Sequence, residues 1–525
     1  MKKGTLLLCL CLLLSGCAAS PETLAEKQVL RYVNYSHLDA IHPRMLVQSA
    51  ETTVVVNVLE GLMRVYQSEV VYGQADGYEV SADGLIYTFH LREDARYSDG
   101  QPVLAADFLR GFQKSVCENY HVDRIGLLKN AAAIYAGAAD AAELGVSAPD
   151  THTLCVELEQ PTPQFLQVVA LPVFTPVRAD ADAGGALRPE DCNGPFTLMP
   201  DKIGDVLRME KNPLYWDANR IHLDTVEAVY MQDDNVAYQA FAAGNVDVMP
   251  QAYDVPERPV GILRQVMTGI RENLYMDLAT AGPLQCKELR LALNYALDRE
   301  AYANRMGADF FKPMIRCVPP SLPGMSKSYV EEYPDTPFPL RGDMRKAKAY
   351  LEQAVAALGV SGPADIRFTL TVHNDNWSVK EGETLIRQWQ DALGISVSLL
   401  REESDQLWTW WARDTGGMVL SGSIAELPDQ LSYLEEWSGD YARGTAGCSC
   451  DLFNSYLNQA ATQMDRQTRM TCLYKAEQVV LGDAPFVPLQ LRAEQLLMNK
   501  KLRDFKTSDN MAGGGYEFIY AYFDK

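Results

Sequence analysis

The sequence predicts an α/β protein with more than one mixed or parallel sheet. Segments with the patterns of strands and helices alternate along most of the 525 residues, as they do in proteins whose sheets are covered by helices. The chain is too long for a single hydrophobic core, so two or three lobes are expected. Hydrophobic residues make up 47% of the chain and charged residues 22%, which indicates folded rather than disordered structure.

Local patterns place the individual elements. Runs that are rich in β-branched and aromatic residues, or that alternate in polarity, predict strands at 29–35, 85–91, 153–158, 246–249, 367–372 and 396–400. Apolar residues at helical spacing predict helices at 52–66, 105–116, 237–244, 289–299, 345–358, 383–393 and 469–481. Asp83-Gly84 and Asp99-Gly100 have the composition of tight turns.

The first residues have the pattern of a bacterial lipoprotein signal. Lys2 and Lys3 precede an apolar run at 6–14, which is too short to span a bilayer as a helix. The run closes on small residues just before Cys17. We therefore predict a signal peptide at 1–16, lipidation of Cys17 and a short tether at 17–28. An ordinary secretory signal that contains a cysteine is the alternative, and a transmembrane anchor is disfavoured because no later segment is apolar enough.

The charge of the chain limits its partners. The formal net charge is −22 at pH 7, and removal of Lys2 and Lys3 makes it more negative. Nucleic acids and anionic lipids are bound through basic patches, so this excess of acid argues against both as partners. It says little about a small ligand, because one cleft can differ from the average surface.

The cysteines of the mature chain permit several interpretations. Eight would remain beside Cys17, namely Cys117, Cys155, Cys192, Cys286, Cys317, Cys448, Cys450 and Cys472. An even number in an exported protein permits disulfides, but the sequence cannot choose among the pairings. Cys448 and Cys450 resemble half of a metal site, yet no His is near and no second close pair exists. We expect structural thiols, free or bridged, and no metal.

The common catalytic motifs are missing. The chain has no G-x-S-x-G, no H-E-x-x-H, no G-x-x-x-x-G-K-[ST] and no G-x-G-x-x-G after a strand. The glycine run at 513–515 is better explained as a flexible turn than as a phosphate-binding loop. We therefore predict that the protein is not an enzyme and uses no cofactor.

Several short strings occur in one order along the chain. The longest is EVSADGLIYTFHLR at 79–92, which continues to YSDGQPV at 97–103 and ADF at 106–108. The others are TLAEKQ at 23–28, LD at 38–39, EGL at 60–62, NGPF at 193–196, EKNPLYW at 210–216, LRLALNYALDR at 289–299 and AE at 476–477. The set closely resembles the signature of the oligopeptide/dipeptide/nickel-type solute-binding proteins of ABC transporters, and it fits the oligopeptide-binding branch best.

The resemblance implies a periplasmic-binding-protein-like fold. Two mixed-sheet lobes close on a ligand like a hinged clamp, and an additional small domain lies beside one of them. Lobe I would comprise 29–66, 186–268 and 487–525, lobe II, the additional domain, 67–185, and lobe III 269–486. The implied function is capture of peptides, above all oligopeptides, and their delivery to the permease subunits of an ABC importer. Such a protein would be an extracytoplasmic monomer held at the bacterial membrane by its lipid.

The resemblance also implies site residues. In oligopeptide-binding relatives, an Asp within a Trp-x-Ala-Asp-Tyr segment pairs with the α-ammonium of the peptide. That segment aligns with 423–427, so Glu426 would hold the ammonium. The neighbours implied as ligand contacts are Gly422, Ser423 and Ile424, together with Val47, Gln48 and Ser49 on the facing segment.

This segment is also where the chain departs from the family. Glu426 is one methylene longer than Asp, and Ser423 and Leu427 replace the two aromatic residues. The alternative is that Glu426 is a surface acid in a variable loop. Three tryptophans either line the cleft or pack the lobes, namely Trp408, Trp410 and Trp411.

Three alternatives to a peptide-binding transport protein remain at the level of sequence. The same fold serves nickel chelates, haem, glutathione and oligosaccharides, so a non-peptide solute is the strongest of them. A surface receptor or adhesin that kept the fold is the second, and an enzyme is the third. A neighbouring permease gene would favour transport, and substrate turnover that depends on one acid would favour an enzyme.

Overall fold

The structure of the protein is a computed structural model. It describes residues 24–38, 40–44, 49–66, 69–118, 126–181, 185–199, 205–252, 255–256, 259–307, 310–413, 415–438, 450–507 and 515–525. The predicted signal peptide, Cys17, Val47, Gln48, Cys448 and the Gly513-Gly514 pair lie outside these ranges.

The β-strands within the described residues are numbered in chain order. They are β1 Val29–Asn34, β2 Met63–Tyr66, β3 Glu69–Tyr72, β4 Ala75–Val80, β5 Ile86–Leu91, β6 Val146–Ser147, β7 Thr153–Glu157, β8 Phe196–Leu198, β9 Val206–Lys211, β10 Thr225–Tyr230, β11 Val248–Met249, β12 Ile262–Met276, β13 Phe311–Pro313, β14 Arg367–His373, β15 Ser396–Glu402, β16 Met418–Ser423, β17 Phe486–Met498, β18 Leu502–Arg503, β19 Lys506–Thr507, β20 Tyr516–Glu517 and β21 Tyr522–Phe523.

The α-helices of the same ranges are numbered likewise. They are α1 Ser49–Val58, α2 Ala105–Cys117, α3 Ala131–Tyr135, α4 Phe165–Val168, α5 Asp234–Ala242, α6 Lys287–Ala296, α7 Arg299–Met306, α8 Tyr329–Glu332, α9 Met344–Leu358, α10 Asn376–Leu393, α11 Ser404–Trp408, α12 Gln430–Leu434, α13 Asp451–Thr462 and α14 Arg466–Asp483.

Aspartates begin five of the longer helices. Each accepts a hydrogen bond from a main-chain N–H of the first turn, which satisfies a donor that the helix itself leaves unpaired. These N-cap residues are Asp233, Asp298, Asp343, Asp375 and Asp465. At the other end, α9 and α10 stop at Gly359 and Gly394, whose φ angles of 65° and 71° are left-handed and favour glycine.

One large mixed sheet organises the fold. Its strands lie in the order β15-β14-β16-β12-β17-β11-β1-β10-β9-β8, and β13 pairs with β17 beside this path. β14 is parallel to β15 and β16, and β1 is parallel to β10 and β11, whereas the other neighbours are antiparallel. The predicted α/β class is confirmed, and the two mixed halves are continuous through β12 and β17.

Three large hydrophobic cores and one small cluster around Phe241 and Met249 lie within the described residues. Core 1 draws on residues 30–59, 192–228 and 496–523, together with Val248 and Val266. Core 2 lies between 62 and 174, against the antiparallel sheet β4-β5-β7-β6. Core 3 is the largest and draws on 274–489. Val487 and Leu489, which directly follow the predicted end of lobe III at 486, also pack in core 3. The division into hinged lobes, with its boundaries, stays a prediction.

Strands β12 and β17 connect core 1 with core 3. Residues 262–267 of β12 pair with 493–498, and residues 271–275 pair with 486–491. Between these two stretches, residues 268–270 face the single residue Arg492. Gly269 has a φ of 73°, which glycine adopts without strain. This bulge is where the two halves of the sheet meet, and bulges bend the strand that carries them.

The helix predicted at 52–66 is half wrong. α1 ends at Val58, and Met63 begins strand β2. The reason is tertiary: the Glu60 carboxylate accepts bonds from Tyr215 Oη at 2.5 Å, Trp216 Nε1 at 2.7 Å and Gln74 Nε2 at 2.8 Å. These bonds hold the chain out of helical geometry where it passes from core 1 to core 2.

The motif residue Asn193 secures the same crossing. Its side-chain oxygen accepts from Glu60 N at 3.0 Å, and its amide donates to Glu60 O at 2.9 Å. The following Gly194 lies so close to Val58 that a Cβ atom would be 2.7 Å from the Val58 carbonyl carbon. These family strings therefore have a structural role.

Candidate functional site

The carboxyl ends of two sets of parallel strands face each other. β17 runs from core 3 to core 1, and β12 is antiparallel to it. Because β16 is antiparallel to β12, β16 and the strands β14 and β15, which are parallel to it, also run towards core 1. β11 is antiparallel to β17 at its other end, so β1, β10 and β11 run towards core 3. Ligands of open α/β sheets bind outside the carboxyl ends of strands. The cleft between these two edges is the candidate site.

The last residues of the strands mark the two edges. On the core 1 side they are Asn34, Tyr230 and Met249. On the core 3 side they are His373, Glu402 and Ser423. Ser423 is also the first residue of the segment 423–427, which aligns with the ammonium-binding segment of oligopeptide-binding proteins.

Residues 422–427, the site segment, show alternating burial. Ser423, Ala425 and Leu427 are buried. Gly422 is exposed, and Ile424 and Glu426 are half-buried. The accessible side of the segment therefore presents a main-chain stretch, an apolar side chain and a carboxylate. That combination suits a ligand that has main-chain groups for hydrogen bonding, an apolar part and a positive charge.

Arg271 fixes the site segment by hydrogen bonds on its buried side. This buried side chain donates from Nη2 to Ser423 Oγ at 3.2 Å and to Glu436 Oε2 at 2.7 Å. Its Nη1 donates to the carbonyl oxygens of Cys317 and Tyr433. Both sides of the loop between 423 and 433 are thus held by one guanidinium. Because the Ser423 hydroxyl faces this network, a ligand can reach Ser423 only through its main chain.

Core 2 holds the site segment from the other side. Leu427, which replaces the aromatic residue of the family pattern, packs in core 2 although it follows a strand of core 3. Gln167 Nε2 donates to the carbonyl oxygen of Pro428 at 3.4 Å. Arg469 forms two bonds to the Asp429 carboxylate, at 2.9 and 2.6 Å, and contacts Gln164 at 3.5 Å. The segment is therefore clamped between two cores.

A buried polar cluster lies beside the bulge. Gln490 Nε2 donates to the carboxylates of Glu272 and Glu381, Tyr302 donates to Glu381 at 3.0 Å, and Arg492 donates to Glu272. Burial, and the negative charge of Glu272, raise the pKa of the Glu381 carboxyl from 4.5 to about 8. At neutral pH Glu381 is consequently protonated in the folded chain.

This protonation predicts a pH-dependent stability. Between pH 4.5 and about 8 the folded chain keeps a proton on Glu381 that the unfolded chain has released. The stability therefore falls as the pH rises through this interval. We expect the free energy of unfolding in urea to decrease from about pH 5 to about pH 8, and Glu381→Gln to remove part of that slope. An unchanged slope in Glu381→Gln, with the exposed Glu352→Gln as control, would contradict the assignment.

A Ser–His–Asp chain lies at the core 3 edge. His373 Nδ1 is 2.6 Å from Asp375 Oδ2, and its Nε2 is 2.8 Å from Ser404 Oγ. Catalytic triads are enclosed and keep their Asp buried. Here Asp375 also caps α10, its side chain is 42% exposed, and Ser404 is exposed. We infer that these hydrogen bonds between Ser404, His373 and Asp375 hold the ends of β14 and β15 together.

Comparison of the sequence with models of known families identifies the family of this protein. Residues 69–445 match the model of the bacterial extracellular solute-binding proteins, family 5 (middle). The chain belongs to this family. Proteins similar to it include the probable deoxycholate-binding periplasmic protein YgiS of Escherichia coli K12, 30% identical over 485 residues that cover 89% of this chain and 88% of that protein.

Other similar proteins carry names of peptide-binding proteins. The oligopeptide-binding protein OppA of Bacillus subtilis is 26% identical over 88% of this chain and 87% of its own length. Among solved structures, Listeria monocytogenes OppA bound to peptide has a TM-score of 0.72 at 23% identity, covering 95% of this chain and all of that one. Unliganded open MppA has a TM-score of 0.78 at 23% identity, covering 96% of this chain and 98% of that one. At such identities the solved structures show the fold alone.

The family membership confirms part of the sequence predictions. The solute-binding fold is confirmed, and homologues that serve transport support the prediction that this is not an enzyme. In the described ranges no helix is both long and apolar enough to cross a bilayer. The seven cysteines that the structure describes form no disulfide. The assignment of ligand contacts to individual residues stays a prediction.

The remaining predicted site residues are placed as follows. Ser49 is the first residue of α1, directly after the undescribed Val47-Gln48 pair. Trp410 is buried in core 3, so it packs and does not line the cleft. The side chains of Trp408 and Trp411 are outside the described part of the structure.

Sequence reasoning missed the charged residues of β12 and β17. Arg271 and Glu272 stand side by side in a strand that ends on Leu274, Tyr275 and Met276. Two adjacent charges within a strand that lies between two neighbours are costly unless each has a partner. The two adjacent charges are visible in the sequence, and they indicate that the folded protein must provide a partner for each of these side chains.

Proposed function

We propose that this family 5 protein captures peptides in the cleft between core 1 and core 3 and delivers them to the permease of an ABC importer. The half-buried carboxylate of Glu426, on the accessible side of the site segment, carries the proposal. It would pair with the peptide α-ammonium, while the exposed main chain at Gly422 adds strand-like hydrogen bonds that tolerate many side chains. Relatives named as oligopeptide- and dipeptide-binding proteins support this ligand class.

The proposal includes a lipid anchor. The pattern ending at Cys17 would place the mature chain outside the cytoplasm, as a monomer tethered to the membrane beside its permease. Labelling of cells with a radioactive fatty acid tests this directly, because incorporation into the wild type should disappear in Cys17→Ser. Incorporation that persists in Cys17→Ser would contradict lipidation at this residue.

The test of peptide binding is substitution of Glu426. We expect Glu426→Gln to weaken binding of free-amine peptides by about 2–5 kcal/mol, because it strands an ammonium in a largely desolvated cleft. Mass spectrometry of ligands that co-purify with the mature protein supplies the peptide, and calorimetry measures its affinity.

A matched control separates this effect from the general charge of the cleft. Glu403 is exposed beside the end of β15, so Glu403→Gln removes the same charge from the same edge and should leave affinity unchanged. If free-amine and N-acetylated peptides bind wild type and Glu426→Gln equally, Glu426 does not hold the ammonium.

A bile-acid-like ligand is the second candidate. The relative that is 30% identical is named as a probable deoxycholate-binding protein, and Leu427 and Ser423 have replaced the aromatic residues of the peptide-binding pattern. A carboxylate in the cleft, however, repels the carboxylate of deoxycholate. Calorimetry with deoxycholate in parallel with peptides decides between the two.

A further inference from the structure

The end of core 1 that faces away from the cleft brings distant parts of the chain together. β1 starts at this end and runs towards the cleft, whereas β17 runs the other way and ends here at Met498. Residues 499–501 form the turn from β17 into β18. Asp524 N donates to the carbonyl oxygen of Lys501 at 2.9 Å, and Asp524 also forms a bridge with Leu24. The segment before β1 therefore leaves the structure beside this turn.

Basic side chains are concentrated at this end of an acidic chain. Asp and Glu outnumber Lys and Arg by 69 to 47 in the whole sequence, whereas NKKLRDFK at 499–506 contains four basic residues and one acid. The cations of this end that have no carboxylate oxygen within 4.0 Å in the described ranges are Lys27, Arg264, Lys500, Lys501 and Lys506. Two exposed acids, Glu26 and Asp504, lie among them, and Arg503 pairs with Asp524 at 3.5 Å. The local charge is positive although the molecule is acidic.

Apolar side chains are exposed beside the basic turn. Val260, Ile262 and Leu263, at the start of β12, are 58%, 48% and 39% exposed. Ile262 pairs with Met498, the last residue before the turn. Within the described part of the chain, no strand pairs with the other edge of 262–267, because β16 begins its pairing with β12 only at Arg271. Apolar groups on an open strand edge favour association with another surface.

The reach of the preceding segment limits which surface this is. Leu24 is the first described residue, and Cys17 is seven positions earlier. An extended chain gains at most about 3.5 Å per residue, so a lipid on Cys17 would keep Leu24 within about 25 Å of the bilayer. Charges act on a surface over about 8 Å at physiological ionic strength. The acidic remainder of the molecule therefore contributes little once this end approaches the bilayer.

We propose that this end of core 1 docks on the anionic headgroups of the bilayer. We name it the terminal surface and define it as the exposed residues of 26–27, 260–264 and 499–506. The inference rests on the lipid anchor of the proposed function and adds a second membrane contact to it, as a basic patch does for other lipidated proteins. Val260 and Ile262 enter the interface between the headgroups. Because β1 runs from the terminal surface to the cleft, docking directs the cleft away from the bilayer.

The test measures vesicle binding without the lipid. Cosedimentation at low ionic strength compares binding of the mature chain with Cys17→Ser, the parent chain, to vesicles of phosphatidylcholine alone and of phosphatidylcholine and phosphatidylglycerol in equal amounts. We expect binding to the mixed vesicles only. Lys500→Gln/Lys501→Gln should weaken it at least about tenfold, since each lysine near an anionic surface contributes about fivefold. Lys346→Gln/Lys348→Gln, at two exposed lysines on α9, removes the same charge from core 3 and should leave binding unchanged.

A second variant tests the apolar part of the surface. Val260→Thr/Ile262→Thr keeps the charges and the preference for strand structure, and it should weaken binding to the mixed vesicles at least about fivefold through lost apolar contact. Urea unfolding of each variant checks that it is folded.

The remaining outcomes overturn the inference. They are absence of binding by the parent chain to the mixed vesicles, equal losses in the two lysine pairs, and self-association that Val260→Thr/Ile262→Thr abolishes while vesicle binding stays unchanged. The last result would mean that the strand edge pairs with a second copy of the chain. Peptide binding is measured without vesicles and lipidation of Cys17 in cells, so a failure of the proposed function gives a different result from a failure of this inference.

Discussion

We expect Glu477→Ala to lower the free energy of unfolding of core 3 by about 3–5 kcal/mol, the usual effect of removing one partner of a buried ion pair. Glu477 has no exposed surface. Its carboxylate accepts from the Arg316 guanidinium, from the main-chain N of Cys317 and Val318 at 3.0 Å each, and from Tyr329 Oη at 3.3 Å. Alanine removes the acceptor of the two main-chain donors and of Tyr329, and it leaves the buried Arg316 guanidinium with no carboxylate, only its bond to the Tyr333 carbonyl oxygen.

The geometry explains why the effect is large. Glu477 lies on α14. Its partners are Tyr329, the first residue of α8, and three residues of the chain between β13 and α8, which has little regular structure of its own. The carboxylate thus substitutes for the hydrogen bonds that a sheet would give this chain. Unfolding in urea followed by tryptophan fluorescence measures the loss. Glu352→Ala, at an exposed site on α9, serves as the control. A loss of unfolding free energy below about 1 kcal/mol for Glu477→Ala would show that water replaces the carboxylate.

The second large effect concerns Arg271. Arg271→Met should cost about 3–5 kcal/mol, because it leaves the largely buried Glu436 carboxylate without its cation. Among the residues that the structure describes, Glu436 then keeps the bond from Tyr275 Oη at 2.7 Å and the bond from Ser423 Oγ at 3.2 Å. Stability is measured in urea with the same fluorescence signal.

The double variant makes the prediction specific. Replacement of both members of a buried ion pair by apolar residues is often neutral. Arg271→Met combined with Glu436→Leu should therefore recover most of the stability that Arg271→Met loses, with a coupling energy of about 1–3 kcal/mol in the mutant cycle. Additive losses would mean that the two charges do not stabilise each other. Because Arg271 also holds both ends of the loop between 423 and 433, which contains Glu426, peptide affinity should stay reduced in the double variant even where stability returns.

Much of the fold could be predicted because it depends on local patterns. The helices at 105–116 and 345–358 agree with α2 and α9 to within one residue at each end, since apolar spacing and, for α9, the Asp343 cap both act within a few residues. The strands at 153–158 and 367–372 agree equally well with β7 and β14. The helix at 52–66 failed where long-range bonds to Glu60 outweigh apolar spacing.

The candidate site was less predictable for the same physical reason. Alignment with family strings located Glu426, but the sequence gives no sign that Leu427 packs in a different core from its neighbour Ala425. The partnership of Arg271 with Glu436 spans 165 residues, and that of Glu494 with Tyr516 joins β17 to the C-terminal strands. Spacing along the chain contains no information about such contacts, which exist only once β12 and β17 have paired.

The bulge between core 1 and core 3 has a consequence for how this protein can change over generations. Arg271 and Leu491 are register partners, so the chain enters and leaves the core 3 half at adjacent points, about 5 Å apart. Two recombination breakpoints in the gene, one on each strand, would therefore exchange that entire half as a cassette. The site segment and the network behind it would travel together, provided that Leu427 fits the core 2 of its new host. A change of ligand could then be inherited in one event rather than residue by residue.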